Sequence, residues 1–168
     1  MVMKKLFFIG LLISAGFMQS CSYTETPQPI NNELLAEVFE VKADFTPGNE
    51  FRNFYDLKPA IFDADVLLVY ELTGTDKTGA DVWKPLPQVY TINEGIFQYN
   101  FDFTKKDFSI FLDATFDPMK LNSSMRLAKV FRVVIVPGKF AKMVDKNNLQ
   151  NVMKTLNLTE NSVVSIAN

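Results

Sequence analysis

No histidine occurs at any of the 168 positions. That absence removes Ser-His-Asp and Cys-His catalysis, histidine-ligated metals and imidazole pH switching together. A single cysteine excludes an intrachain disulfide and a thiolate zinc site. Seven glycines never approach the spacing of a GxGxxG or phosphate-binding loop, and neither G-x-S-x-G nor S-x-x-K occurs. Excess positive charge is also missing. The formal net charge is −2, and it becomes −4 once residues 1–20, with Lys4 and Lys5, are set aside. A basic nucleic-acid surface is therefore not expected. What is present is ordinary globular material: 48% apolar and 21% charged residues, in a length that suits one domain.

The amino terminus reads as an address. Lys4-Lys5 precede an apolar run over 6–18, and small polar residues follow it. A charged start, a short apolar core and a small residue before the cut make a secretory signal, oriented by its lysines. The run is shorter than the ~20 residues a helix needs to cross a bilayer. At its end, Met18-Gln19-Ser20-Cys21 resembles the lipobox of bacterial lipoproteins. The resemblance implies that Cys21 receives a diacylglyceryl thioether, is acylated and becomes the new amino terminus. The alternative is a plain signal cut nearby, which leaves Cys21 a thiol. Each buried methylene of an attached lipid contributes about 0.8 kcal/mol, so several chains make attachment long-lived. Residues 22–32 are polar, with Pro27 and Pro29 two apart, and suit a short, semi-stiff spacer. The expected division is a signal at 1–20, a lipidated cysteine and tether at 21–33, and a β domain at 34–168. Glu33-Leu34-Leu35-Ala36-Glu37 either adds a helical turn or leads into the first strand.

Alternation with period two dominates from Val38 onward. Phe39, Val41, Ala43 and Phe45 alternate with Glu40, Lys42 and Asp44, and a weaker strand follows at 51–57. Thr46-Pro47-Gly48-Asn49 between them has turn chemistry and suggests a hairpin. Residues 66–72 are almost continuously apolar and predict a central strand covered on both faces. A return strand over 83–92 carries Pro85 and Pro87, which places it at an edge or on a bulge. Clean alternation recurs at 97–103 and 108–114, and residues 129–136 form a second β-branched run. Leu149, Val152, Met153 and Leu156 then fall on one helical face, with Asp145 as the expected cap, in a helix that closes one end of the layers. The fold expected is all-β, an antiparallel two-layer immunoglobulin-like sandwich of about seven strands with a short carboxyl-terminal helix. Three of the 16 phenylalanines lie in the signal, and most of the others stand at alternating strand positions and read as the core.

Chemistry-bearing constellations are thin. Asp76 and Asp81 flank a polar loop, but a calcium ion wants six to eight oxygens, and a solvated turn fits better. Asp63 with Asp65, and Asp113 with Asp117, are loose pairs. A glycosidase would need two carboxylates held at a defined separation. Trp83 with Tyr70, Tyr90 and Tyr99 could stack against sugars, Trp83 being the most exposed in pattern. Lys105-Lys106 and the lysines of 139–146 read as solvated surface. No catalytic residue, cofactor or metal ligand is assigned.

Across 66–153 the wording is distinctive: Val66-Leu67-Leu68-Val69-Tyr70, Asp81-Val82-Trp83-Lys84-Pro85-Leu86-Pro87-Gln88, Tyr99-Asn100-Phe101-Asp102-Phe103-Thr104, Ile110-Phe111-Leu112-Asp113 and Val130-Phe131-Arg132-Val133-Val134-Ile135-Val136-Pro137. These phrases resemble the carboxyl-terminal domain of small lipoproteins from Bacteroidota. Several of those carry collagen-like repeats between lipid and domain. No glycine triplets occur at 22–32, so triple-helical trimerisation is not expected. The resemblance implies an envelope location and an all-β domain, and it supplies no catalytic or binding residues. The expectation is a non-enzymatic lipoprotein of the outer membrane, held there through Cys21, with an envelope protein or glycan as partner and no nucleic acid. It would contact its partner through an exposed edge or loop. The alternative is a carbohydrate-binding lipoprotein using Trp83 and neighbouring tyrosines, and a weaker one is a hydrolase built on Asp113 and Asp117.

Overall fold

Phe39, Val41 and Ala43 give β1 (Glu37–Ala43) a single apolar face, and the same two-residue period shapes most of the chain. The structure is a computed structural model that describes residues 36–166. The expected signal at 1–20, Cys21 and the tether at 21–33 lie outside the described residues.

Among the described residues the fold is β-sandwich-like, with nine strands in two sheets and one short helix. After β1 come β2 (Arg52–Asp56), β3 (Val66–Thr75), β4 (Asp81–Pro85), β5 (Gln88–Ile92), β6 (Gly95–Phe103), β7 (Asp107–Ala114) and β8 (Lys129–Val136). The helix α1 (Leu149–Thr155) and β9 (Val163–Ile166) complete the order. One sheet runs β4-β3-β8-β1-β9 and the other β2-β7-β6-β5. Neighbours are antiparallel except β1 and β9, which are parallel.

The two sheets bury their facing aromatic rings against each other. Phe39 of β1 lies 5.8 Å from Phe108 of β7, and Tyr99 of β6 sits 5.7 Å from Phe131 of β8, centroid to centroid. Each such buried ring stabilises by roughly 1.5–3 kcal/mol. The largely apolar strands β3 and β8 occupy inner positions of the five-stranded sheet and bury residues on both faces. Their inward residues Leu67, Val69, Phe131 and Val133 join the core between the sheets. Tyr70, Val134 and Val136 point outward, where Leu149, Val152, Met153 and Leu156 cover them. The helix at 149–155 therefore stands as the period predicts, but it packs on the outer face of a sheet and does not plug an end. Its cap is Asn148, whose side chain accepts the Asn151 amide at 2.9 Å. Asp145 instead accepts the amide of Asn147 at 3.1 Å, so it is bound up in the preceding turn.

Two further expectations are corrected. Residues 46–49 do not close a hairpin, because β1 and β2 belong to different sheets. The turn is a corner: the Asn49 side chain accepts the Thr46 amide at 3.0 Å and donates to the Asp44 carbonyl at 2.7 Å. The strand expected over 83–92 is two strands in two sheets, and with β9 this raises the count from about seven to nine. The chain changes sheet at Leu86-Pro87, where the Leu86 amide donates to the Val69 carbonyl at 2.9 Å. Both β4 and β5 are edge strands, as the prolines predict.

Candidate binding site

Trp83 lies half-buried on β4, on the outer side of the five-stranded sheet. The guanidinium of Arg132 is stacked 4.4 Å from its ring centroid. Arg132 is 4% exposed and donates to Glu40 and, at 2.9 Å, to Glu160. Burial alone would lower its pKa, but the carboxylates of Glu160 and Glu40 outweigh that and hold it above the ordinary arginine value. Tyr70 lies on the same side of the sheet, fully buried, with its hydroxyl donating to the Lys146 carbonyl at 2.9 Å. Tyr90 and Tyr99 point between the sheets, and Tyr90 stacks on Phe97 at 5.0 Å. The four aromatic residues are thus divided between two faces and form no common platform.

The carboxylate pairs are likewise separated by use. Asp76 accepts the Thr78 hydroxyl at 2.6 Å and the amides of Thr78 and Ala80, which draws its pKa below the usual carboxylate range. It closes the β3–β4 hairpin, the solvated turn expected there. Asp117 accepts the Met119 amide at 2.9 Å, while Asp63 pairs with Lys105 at 2.7 Å. Asp65 accepts the amides of Phe62 and Gly138. Among the described residues, no group of three or more acidic or thiol side chains converges to hold a metal ion.

One buried polar group escapes the sequence pattern. Glu71, inside the apolar run of β3, is 1% exposed and faces the core. It accepts the Tyr90 hydroxyl at 2.7 Å and pairs with Lys129 at 3.0 Å. These contacts satisfy the carboxylate within the core.

A concave surface lies elsewhere, at the side where β1, β9 and β2 meet. Tyr55 of β2 donates to the Lys42 carbonyl at 3.2 Å and Asn53 to the Asp44 carbonyl at 3.0 Å, so β2 sits opposite β1. β9 lies one strand beyond β1, and among the described residues no strand of the other sheet lies beyond β2. Five strands therefore overhang four. Val164 and Ile166 are in register with the inward residues Phe39 and Val41, yet they remain 63% and 38% exposed. Beneath them is a groove of about 720 Å³ with Phe39, Leu57, Ile135, Leu158, Val164 and Ile166 in its walls. A second hollow of about 580 Å³ is lined by Val41, Asn53 and Ser165 and shares Ile166 with the first. At the first groove, Lys58 pairs with Asp56 at 2.7 Å, which raises the lysine's pKa.

The backbone of β2 completes this side. Phe51 accepts from Leu112 and Leu57 donates to Lys106, while Asn53 and Tyr55 stand opposite Ile110 and Phe108. Odd-numbered residues thus direct their backbone groups to β7. Those of Arg52, Phe54 and Asp56 turn to the open side, since the directions alternate along an antiparallel strand. Above this edge, Arg52 lies 3.8 Å over the Phe111 ring and donates to Asp102 at 2.8 Å and to Ser109. Desolvation would raise the pKa of Asp102, but hydrogen bonds from Ser109 and Arg52 pull it below the ordinary value. Phe54 is 72% exposed.

No motif announces this site, because an edge strand without a neighbour is a property of topology. Comparison of the whole chain with protein-family models, with characterised proteins and with solved structures finds no match. Among the described residues no helix is long and apolar enough to cross a membrane.

Proposed function

We propose that this protein is a lipid-anchored lipoprotein of the bacterial outer membrane whose domain binds a partner and carries out no chemistry. The anchor rests on the Met18-Gln19-Ser20-Cys21 resemblance, with Cys21 the lipidated residue. For the fold, an immunoglobulin-like sandwich is supported by the aromatic core between the sheets and by the chain's repeated passage between them. The binding role is supported by one observation above all. Apolar residues that register with the core, Val164 and Ile166, stand exposed over a groove beside a strand edge that has no neighbour among the described residues. A carbohydrate-binding role centred on Trp83 has less behind it, since Arg132 already occupies one face of the indole.

The test is crosslinking on intact membranes with the lipidated full chain and with the double variant Val164→Asp, Ile166→Asp. A protein or wall polymer captured by the wild type and lost from the variant is the expected result. Recovery of lipid alone, or of the same material with both chains, overturns the assignment.

A further inference from the structure

Resting on the reading of the open side as the contact surface, we propose that its occupant is an extended polypeptide segment that adds to β2 as a fifth strand of the four-stranded sheet. Three features carry this. The hollows meet β2 at Asp56 and at Asn53, and on this same open side the strand turns out the backbone N–H and C=O groups of Arg52, Phe54 and Asp56. The opposite wall is apolar and belongs to the overhanging strand, through Val164 and Ile166. The position itself is a vacancy in the layer, since β9 has no counterpart beyond β2 among the described residues.

Other occupants meet a physical objection. An acyl chain would cover the outward amides of β2 without bonding them, and a buried unpaired backbone group is costly. A symmetric pairing of two β2 edges would meet an obstacle, because each edge lies under the overhang of its own β9. A single extended chain fits, because its backbone can satisfy β2 while alternate side chains enter the groove. The segment should therefore carry apolar residues at every second position over about five residues, the length of β2. Charged residues of both signs border the open side, Glu37, Asp56, Lys58 and Lys139 at the first hollow, so no single sign of charge is selected. Specificity comes from the period and from side-chain volume.

Random nonapeptides displayed on phage, selected on the full chain and counter-selected on Val164→Asp, Ile166→Asp, provide the probe. The expected winners alternate apolar and polar residues. N-methylation along the best peptide should weaken binding by about tenfold or more at every second amide and leave the others nearly unchanged. Phe54→Pro removes an outward donor without touching the β7 ladder and should weaken binding by about tenfold. Phe54→Ala keeps the donor and should hold affinity within about threefold. Thermal melts of both variants, at an exposed position, report whether the fold persists.

No enrichment, winners without the alternation, insensitivity to N-methylation, or equal losses in the two Phe54 variants each overturn strand addition. If ligand binding depends on Val164 and Ile166 but not on peptide amides, the open side stands as the contact surface and only strand addition falls. If membrane crosslinks are also indifferent to Val164→Asp, Ile166→Asp, both fall. A concentration-dependent dimer in sedimentation, abolished by that variant, assigns the groove to a second copy and overturns the proposal.

Discussion

Glu71 of β3 and Tyr90 of β5 meet across the interior, hydroxyl to carboxylate, at 2.7 Å. They belong to different sheets, so this bond pins one layer to the other in the core. Lys129 supplies the compensating charge at 3.0 Å, with only 17% of its side chain exposed. Removing one partner from a buried pair leaves the other charge stranded. Lys129→Met should therefore destabilise by about 3 kcal/mol in urea unfolding. Tyr90→Phe, which deletes one hydrogen bond to the same carboxylate, should cost about 1–2 kcal/mol. Adding Glu71→Leu to Lys129→Met should recover most of the loss, because the stranded charge goes with it.

Trp83 is expected to behave as a structural residue. Its ring shares the outer cluster of the five-stranded sheet and carries Arg132 on one face. Trp83→Ala should lower stability by about 2 kcal/mol, below the full cost of a buried indole because the ring is only half-covered. Wild-type-like melting for that variant would show that the indole contributes little to packing.

Alkali should unfold the domain in a characteristic way. Burial raises the phenol pKa values of Tyr70, Tyr90 and Tyr99, helped by Asp145 at the first and by Glu71 at the other two. Their unfolded value is about 10. Above that pH the folded state holds more protons than the unfolded one, so stability falls as pH rises. Below it the three phenols contribute no slope. Absorbance titration should show these three tyrosines ionising above the ordinary phenol value, together with loss of structure.

Acid should act on the opposite set. Asp76 and Asp102 have lowered pKa values, from turn hydrogen bonds at Asp76 and from Ser109 and Arg52 at Asp102, where desolvation opposes them. Their stabilisation is present above the ordinary carboxylate range of about 3.9 and is lost as pH falls through the lower, folded values. Both are solvent-facing, so the effect is modest and weakens with salt. Asp76→Asn should flatten the acid limb of a melting-temperature profile.

The anchor has its own test. Labelled palmitate should enter the wild-type chain and not Cys21→Ser, and intact mass should place the addition on the mature amino terminus. A bare or absent residue 21 in the membrane-purified protein overturns that assignment.

Much of the architecture can be read from local pattern, and the remainder shows where local pattern ends. Phe97 to Tyr99 and Ile110 to Leu112 alternate because one face is dry, so β6 and β7 are legible in the sequence. The β-branched, largely apolar character of 129–136 reflects burial on both faces, which β8 has. Turn chemistry at 46–49 predicts a reversal but cannot say that the next strand joins another sheet. Leu86-Pro87 hides a change of layer for the same reason. Glu71 was unreadable as a core residue because its partners lie 19 and 58 positions away. The groove leaves no signature at all, since it arises where, among the described residues, no strand lies beside β2.

The parallel pairing of β1 with β9 has a mechanical consequence. Residues preceding Ala36 connect directly to β1, which is flanked by β8 and β9 and hydrogen-bonded to both. A pull on Ala36 along the axis of β1 would strain its cross-links to both neighbours in shear, so that they resist together. Peeling would break them singly. A load between a tethered end and a molecule gripped at the β2 edge would thus fall on one of the best-braced strands of the domain.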